Sequence, residues 1–480
     1  MWQRWLGVVC ALALCVQAAL AVSAYGNRVL LVLDDEKENY SSFIETLDQS
    51  GYQVTLAKSG DAKRDDVLFP FGERQYDHLA LLVPELKGLK DALAPQQLVR
   101  FAEDGGNLLV GLSPRVSEAW RDFAREFRLE VSERDTKLVD HFGYDAERDL
   151  GDHAAVLVGG RRAHFAAGGA ANERVFSQAT REALEREPLM YRGIAHWIGP
   201  NPLAFSILAP PATSYQSEVP KIVGGEAKGI KKLEAHHDAA ELLTGFDAAS
   251  PDATASLVSA VQLRPNSARV TFVGSVELFG NALYGDDVRP LQRAVVEDIV
   301  QWTFQERGVL RVVRSGHERV RKSEEDVRPD YEEELGVAAK MYRVKDEVFF
   351  VLELQQFEHE WQPAPTDLDI QLAVTMLDPY ITLPLEGHVD GEHTRYQGSF
   401  RLPDRHGVFT LRVNWKRHGW SYVLTEDVVP VRPFNHDEYP RYLSSSWPYI
   451  SGALSTMLGF AVFVALWLLL PVDKAPGKTE

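Results

Sequence analysis

Cysteine is nearly absent from this chain, and its scarcity excludes several kinds of site. The two cysteines, Cys10 and Cys15, both lie in the uncharged apolar stretch Leu6–Ala24. If that stretch is removed, the rest of the chain can form no disulfide, no thiolate zinc site and no cysteine nucleophile. The body must then be held together by an ordinary hydrophobic core or by partner proteins.

Charged residues are missing from two long stretches, one near each end of the chain. In the first, Arg4 precedes the apolar run Leu6–Leu20, and Val22-Ser23-Ala24 offers small or modest side chains for cleavage. This pattern predicts a signal peptide over residues 1–24, with Tyr25 as the mature N-terminus. A retained N-terminal anchor is the alternative, although a spanning helix needs ~20 apolar residues.

The second uncharged stretch lies between Arg441 and Asp473. Its length predicts one transmembrane helix over residues 447–471. A signal followed by a late transmembrane helix predicts a single-pass type I protein. Its body, which ends near residue 440, then lies in a lumen or outside the cell, and its tail, residues 472–480, is cytosolic. Membrane lipid is therefore an expected partner.

Positive charge is in deficit over the whole chain. Asp and Glu number 69 against 51 Lys and Arg, which gives a formal net charge of −18. Nucleic-acid binding needs a basic surface, so we do not expect nucleic acid to be a partner. A solubilising surface is the simpler use of these carboxylates.

Strand and helix patterns alternate in the first part of the body. Arg28–Leu33 is a continuous apolar run, as in a strand covered on both faces, and Asn107–Leu112 repeats the pattern. The residues Ser42–Glu45 have capping-box spacing and predict a helix start. The alternation predicts an α/β domain with a parallel sheet over residues 25–310, most clearly over 25–160.

The pattern changes after a charged segment at residues 311–335, which we expect to be a linker. Short alternating strands separated by Pro, Gly and charged turns then predict an antiparallel sandwich over residues 336–440. The expected fold is an α/β domain, then an all-β sandwich, then one transmembrane helix.

Strong metal or nucleophile motifs are absent from the body. Asp34-Asp35 follows the first strand, where α/β proteins bind ligands, but a solvated loop is the simpler explanation of the pair. Asp367 and Asp369 have the D-x-D spacing that can hold a divalent cation, although a chance pair at a strand start is the alternative. Ser113 lacks the small-residue elbow of a nucleophile. The other weak candidates are His236, His237, Asp286 and Asp287. We therefore predict no catalytic, cofactor-binding or metal-binding residue.

Small residues recur along the predicted transmembrane helix. Ser451, Ser455 and Gly459 are four residues apart and form a stripe that lets another helix approach closely. The stripe predicts helix packing against a membrane partner. A helix that serves only as an anchor is the alternative.

One N-glycosylation sequon is present, Asn39-Tyr40-Ser41. In a secretory lumen Asn39 is a possible acceptor. Its position between a strand and a helix leaves its occupancy open.

Several sequence blocks, taken in order, resemble one known family. They are KLVDHFGYD (137–145), ARVTFVGS (268–275), QWTFQERGVLRV (301–312), DIQL (369–372), DP (378–379), LPDRHGVF (402–409), VRPF (431–434) and MLG (457–459). They look like the 48 kDa subunits of dolichyl-diphosphooligosaccharide–protein glycosyltransferase, a family of type I subunits of the oligosaccharyltransferase complex. The resemblance covers essentially the whole mature chain.

The resemblance implies a location and a role. It implies a non-catalytic subunit of the endoplasmic reticulum complex that transfers a preassembled glycan from dolichyl diphosphate to the Asn of Asn-x-Ser/Thr. The partners it implies are the other subunits, including a separate multi-spanning catalytic subunit. It also implies a first domain similar to glutamine-amidotransferase-like folds without their cysteine. Some members end in a dilysine retrieval signal, whereas here Lys478 stands alone.

Two other functions stay open at this point. A free-standing lumenal glycosyltransferase would use the Asp367 and Asp369 pair and would be active as a soluble fragment. A cell-surface adhesion protein would place the sandwich beside the membrane, but the missing disulfides and the short tail count against it.

Overall fold

The computed structural model describes residues 22–34, 37–58, 67–85, 93–160, 174–218, 222–223, 226–227, 254–285, 290–320, 341–439 and 444–470. Nearly all of the predicted signal peptide and the predicted tail lie outside these residues. The α-helices are α1 (Ser41–Gln49), α2 (Pro95–Glu103), α3 (Glu118–Glu126), α4 (Gln178–Arg186), α5 (Pro290–Thr303) and α6 (Trp447–Leu469).

The strands form two groups that are separate along the chain. The first group is β1 (Arg28–Leu33), β2 (Gln53–Lys58), β3 (His78–Leu82), β4 (Asn107–Gly111), β5 (Leu129–Val131), β6 (Thr136–Val139), β7 (Val156–Gly159), β8 (Pro188–Tyr191), β9 (His196–Ile198), β10 (Ala204–Leu208), β11 (Tyr215–Glu218), β12 (Ile222–Val223), β13 (Glu226–Ala227), β14 (Thr254–Ser256), β15 (Val258–Gln262) and β16 (Arg269–Val273). The second group is β17 (Val309–Arg319), β18 (Tyr342–Arg343), β19 (Glu347–Glu358), β20 (Glu360–Pro363), β21 (Gln371–Thr375), β22 (Pro379–Pro384), β23 (Glu386–Asp390), β24 (His393–Arg401), β25 (Gly407–Trp415) and β26 (Val423–Arg432).

A mixed seven-stranded sheet, the central sheet, organises the first group in the order β10-β15-β16-β4-β3-β1-β2. The pairs from β2 through β1, β3 and β4 to β16 are all parallel. β15 and β10 then continue the sheet with antiparallel pairs. The predicted parallel sheet is therefore part of a mixed one, and its last three strands come from the stretch whose pattern was hardest to read.

Helices cover both faces of the central sheet, which explains its apolar runs. Val29 and Leu31 face the core shared with α1 and α5. Leu30 and Val32 face the opposite core, shared with α2 and α3. Since successive side chains of a strand point to opposite faces, a strand covered on both sides must be apolar at every position. A fully buried Leu or Val of this kind contributes about 2 kcal/mol to folding.

The start of α1 corrects one local prediction. The residue before α1, Tyr40, makes no side-chain cap hydrogen bond, so the predicted capping box is not formed. The cap instead comes from Asn281, far away in the sequence. The Ser42 N–H donates to Asn281 Oδ1 at 3.1 Å, and Asn281 Nδ2 donates to Glu38 O at 2.7 Å. A distant side chain therefore satisfies the helix end that a local one was expected to satisfy.

Smaller sheets flank the central one. They are β14-β9-β5 and the pairs β11-β6, β7-β8 and β12-β13, all antiparallel. They account for much of residues 129–256, most of which lies beyond residues 25–160, where the predicted alternation was clearest.

The second group of strands forms two five-stranded sheets that share one core, which confirms the all-β prediction for this part of the chain. One sheet contains β17, β19, β24 and β23, with β20 added to β19, and the other has the order β18-β26-β25-β21-β22. All pairs are antiparallel except β18 with β26. We call this unit the sandwich.

The predicted linker is wrong over its first part. Residues 311–319 belong to β17, which pairs with β19 along its whole length. Charged and polar side chains on this strand face solvent, and they concealed its pairing. Residues 321–335 lie outside the described part of the chain.

Candidate functional site: apolar helix and domain junction

The apolar helix α6 is one candidate site. Within Ser444–Leu469, the most apolar 18-residue window has a mean hydropathy of 2.1, and none of it is buried against the body. A core helix of the same composition would be covered by other elements. This helix is long and apolar enough to cross a membrane, and it is the one such helix among the described residues.

The predicted packing stripe lies along one side of α6. Ser451, Ser455 and Gly459 are all exposed. The two hydroxyls are satisfied within the helix, since Ser451 Oγ donates to Pro448 O at 3.1 Å and Ser455 Oγ to Gly452 O at 2.8 Å. A methyl group added at Gly459 would meet no described atom within 4 Å. The stripe is thus a smooth and open surface, and its packing role stays a prediction.

Asn39 is exposed in a short 3-10 helix, Lys37–Tyr40, that leads directly into α1. The hydroxyl of its sequon, Ser41 Oγ, accepts a hydrogen bond from Asn281 Nδ2 at 2.9 Å. The Asn39 side chain is therefore accessible while the rest of the sequon is tied to the body. Glycosylation of Asn39 stays a prediction.

The Asp367 and Asp369 pair lies in a turn before β21, with both side chains exposed. Side chains of the sandwich bind the backbone of this turn. Trp415 Nε1 donates to Leu368 O at 2.7 Å, and the Tyr396 hydroxyl donates to Pro365 O. Burial, assisted by the charge of Asp367, raises the pKa of Tyr396, so its hydroxyl stays a donor. Among the described residues no group of three His, Cys, Asp or Glu is placed to hold a metal ion.

The other weak candidates do not come together. Asp34 is exposed after β1, while Asp35, His236, His237, Asp286 and Asp287 lie outside the described residues. Ser113 Oγ accepts the Arg115 N–H at 3.2 Å, as expected of a turn serine. His196 is buried and hydrogen-bonded to Ser259 Oγ at 2.6 Å, and burial lowers its pKa to about 3. It is a neutral core histidine.

A buried arginine organises the junction between the α/β part and the sandwich. Arg269, at the start of β16, has no exposed surface. Its guanidinium donates to Arg307 O at 2.7 Å, to Gly308 O at 2.8 Å and to Trp302 O, and it lies 4.3 Å from the centre of the Trp302 ring. Burial lowers its pKa to about 9, which leaves it protonated at neutral pH. It thereby fixes the turn that joins α5 to β17.

The loop between β25 and β26, residues 416–422, docks onto that turn. Trp302 Nε1 donates to Gly419 O at 3.0 Å, and the Ser421 N–H donates to Gly308 O at 2.9 Å. Gly308 has a φ of +66°, and a Cβ there would lie 2.2 Å from Gly419 O. We call Arg269, Trp302, Gly308 and this loop the domain junction. Its close packing joins the sandwich to the α/β part.

A cleft of about 310 Å³ opens beside the domain junction. Arg174, Arg307 and Trp420 are among its lining residues. Arg307 already pairs with Asp298 at 2.6 Å, and Arg174 lies over the Trp420 ring at 5.1 Å. Because these two cations are engaged by the protein itself, neither of them gives a reason to assign the cleft a ligand.

Sequence reasoning missed the domain junction. A single arginine that begins a strand has no pattern of its own, and its partners are backbone carbonyls that carry no sequence signal. One indirect signal was available. Arg269, Trp302 and Gly308 all fall in two of the blocks that carry the family resemblance, residues 268–275 and 301–312.

Comparison with known proteins decides the family. The sequence model described as OST48, N-terminal domain, matches residues 20–306, and the OST48 middle domain matches residues 322–471. The chain belongs to the OST48 family. The expected resemblance is thereby confirmed. The OST48 N-terminal domain contains the central sheet, and the middle-domain match contains most of the sandwich together with α6.

Curated relatives match the chain over nearly all of its length. The dolichyl-diphosphooligosaccharide–protein glycosyltransferase 48 kDa subunit of Drosophila melanogaster is 28% identical over 100% of this chain and 99% of its own. The glycosyltransferase subunit wbp1 of Schizosaccharomyces pombe is 29% identical over 95% and 96%. The 48 kDa subunit of Caenorhabditis elegans is 27% identical over 90% and 88%.

Among solved structures, α-L-fucosidase isoenzyme 2 from Paenibacillus thiaminolyticus aligns with 78% of this chain and 47% of its own. The TM-score is 0.30 at 11% identity. This likeness is too low to bear on the fold or the function of an OST48 protein.

Proposed function

We propose that this chain is a non-catalytic subunit of the oligosaccharyltransferase complex. In that role it helps to transfer a preassembled glycan from dolichyl diphosphate to the Asn of Asn-x-Ser/Thr. The observation that carries the proposal is the end-to-end match with relatives named as subunits of this glycosyltransferase. The match includes the apolar helix as well as the folded body, so it concerns the whole membrane protein.

The proposed topology is type I, with the body in the lumen of the endoplasmic reticulum. The N-terminal apolar stretch then acts as the signal, α6 crosses the membrane, and the last residues are cytosolic. The exposed apolar surface of α6 supports this arrangement, since such a surface needs lipid or another helix around it. The cysteine-free body is compatible with a lumen because it depends on no disulfide.

The proposed role of the body is structural. The domain junction holds the α/β part and the sandwich as one unit, and the stripe on α6 offers a packing surface to another subunit. Parallel strands with helices on both faces support the expected likeness of the first domain to amidotransferase-like folds. The reactive centre then belongs to another subunit, a multi-spanning one, beside which this body helps to position acceptor or glycan.

Purification of the tagged full-length protein in mild detergent tests the assignment. We expect the other oligosaccharyltransferase subunits to co-purify, and depletion of the protein to leave Asn-x-Ser/Thr sites of reporter glycoproteins unoccupied. Recovery of a lone monomer, together with normal reporter glycosylation after depletion, would contradict the proposal.

Rescue of the depleted cells separates the accessory role from an enzyme of its own. A double variant, Asp367→Asn with Asp369→Asn, should restore reporter glycosylation as well as the wild type does, since both side chains are exposed in a turn without a metal cluster. Loss of rescue with normal complex assembly would favour the free-standing glycosyltransferase instead. Asp404→Asn, which changes an exposed carboxylate elsewhere in the sandwich, is the matched control.

A further inference from the structure

The first described residues, Val22–Ala24, are part of the folded body. Ser23 is only 1% exposed, and its hydroxyl donates to Phe304 O at 2.5 Å. The Ala24 N–H donates to Gln305 O at 3.3 Å. Val22 packs against the core shared by α1 and α5. These three residues therefore make the contacts of an integrated element rather than those of a segment waiting to be removed.

The segment Val22–Ala24 makes its hydrogen bonds to the buried backbone carbonyls that directly follow α5. Phe304 and Gln305 directly follow α5 and have no exposed surface. The terminal carbonyls of a helix have no partner inside the helix and need one from elsewhere. Ser23 supplies a donor to the carbonyl of Phe304, the first residue after α5, and Ala24 supplies one to the next carbonyl, that of Gln305. Without them, two buried carbonyls lose their partners at the edge of the domain junction, which is costly for a buried polar group.

The contacts of the next residues extend this arrangement. His78 donates from Nε2 to Gly26 O at 2.9 Å and stacks on the Phe304 ring with centroids 4.6 Å apart. The Tyr25 N–H donates to Ser23 Oγ at 3.2 Å. The segment from Val22 to Gly26 thus runs as one piece along the amino end of the central sheet.

The sequence offers three places where a signal peptidase could cleave, namely the bonds after Ala21, after Ser23 and after Ala24. Cleavage after Ser23, which has small residues at Ala21 and Ser23, would remove Val22 and Ser23. The enzyme requires small residues at the first and third positions before the scissile bond. Val22-Ser23-Ala24 meets this requirement loosely, and cleavage there would remove the whole buried segment. Ala19-Leu20-Ala21 meets it strictly, and cleavage there would leave Val22 as the first residue.

We propose that the signal is removed between Ala21 and Val22, so that the mature chain begins Val22-Ser23-Ala24. This moves the site three residues upstream of the one expected from the sequence. The inference depends on the proposed function only in that the N-terminal stretch is a secretory signal. Its basis is that the fold uses Ser23 and Ala24, whereas the alternative cuts would discard Ser23 or both of them.

Labelling of free α-amines on the purified full-length complex, followed by trypsin and mass spectrometry, reads the cut directly. Trypsin cleaves after Arg28, before the Asn39 sequon, so glycosylation does not disturb the peptide. We expect a labelled peptide Val22–Arg28. A labelled peptide Ala24–Arg28 or Tyr25–Arg28 would overturn this inference and leave the proposed function intact. A retained Met1 or Trp2 terminus would overturn both this inference and the signal peptide in the proposed topology.

A reciprocal pair of variants tests the same bond without depending on folding. Ala21→Leu should abolish the Val22 N-terminus, because it places a large residue next to the proposed scissile bond, so that the precursor or a chain that begins at Tyr25 accumulates instead. Ala24→Leu should be processed at the wild-type position, because Ala24 then lies after the bond. A wild-type N-terminus that is kept in Ala21→Leu and lost in Ala24→Leu would overturn the proposal.

Discussion

The domain junction and the helix α6 both contain small residues, but these residues have opposite surroundings. At the junction, a Cβ on Gly308 would lie 2.2 Å from Gly419 O. On α6, a Cβ on Gly459 would meet no described atom within 4 Å. Gly308 must be a glycine because Gly419 of the same chain leaves no room for a Cβ. No described residue places such a requirement on Gly459. Small residues that the fold itself does not use are the ones that a membrane partner can use.

The largest effect is expected when a side chain is added at the domain junction. Gly308→Ala should destabilise the body by about 3 kcal/mol, since a side chain both strains a φ of +66° and clashes with a backbone carbonyl. The control is Gly391→Ala. Gly391 has a similar φ of +63° but nothing near its Cβ, so its cost should be about 1 kcal/mol. Thermal unfolding of the full-length protein in detergent measures both.

Equal losses for the two glycine variants would show that backbone strain alone matters. The close packing of the sandwich on the α/β part would then have no measurable energetic role.

Acid should lower the free energy of unfolding of the part of the body around His78, but it should not affect α6. Burial lowers the pKa of His78 to about 4, against about 6.5 in an unfolded chain. The stability that its neutral form contributes is therefore complete above pH 6.5 and is lost as the pH falls towards 4. Between pH 6.5 and 5 the loss should be about 2 kcal/mol.

Unfolding measured across that pH range in His78→Gln should show a shallower dependence than the wild type. His406→Gln, at an exposed position, should leave the slope unchanged. An identical slope in His78→Gln and wild type would mean that His78 titrates alike in the folded and unfolded chains.

Substitutions on α6 should have the smallest effect on the stability of the body. They should have a large effect on the association of the protein with partner subunits. Ser455→Leu with Gly459→Leu should change the unfolding of the body by less than about 0.5 kcal/mol, because these residues contact no part of it. Co-purification of partner subunits should nevertheless fall several-fold, since the stripe would no longer admit another helix.

Ala453→Leu is the matched control, because it enlarges a small residue roughly 200° around the helix from Ser451. Retained partners in the double variant, or equal losses in the control, would show that α6 is only an anchor.

Periodicity predicted the regular parts of the body well, for a simple reason. The run Arg28–Leu33 matches β1 residue for residue, and Leu98, Phe101 and Ala102, which recur at helical spacing, are the buried face of α2. Leu291, Val295, Ile299 and Trp302 likewise form the inner face of α5. A strand or helix that is covered by others must carry apolar residues at its own repeat, so its pattern is local.

Patterns failed where an element depends on a distant partner. β17 carries too many polar side chains to be read as a strand, and only its ladder with β19 makes it one. The cap of α1 comes from Asn281, which no local spacing connects to Ser42. The first part of the predicted linker and the predicted capping box were both wrong for this reason.

The sequence by itself determined the composition-driven features: two uncharged stretches, a cysteine-poor body, an α/β part followed by strands, and the blocks that identify the OST48 family. These features depend on residue type and local order alone. The tertiary structure decided the rest: the antiparallel end of the central sheet, the junction around Arg269, and the use of Ser23 and Ala24 in the core. Each of these is a contact between residues far apart in the chain, often to a backbone carbonyl, and such contacts have no periodicity to read.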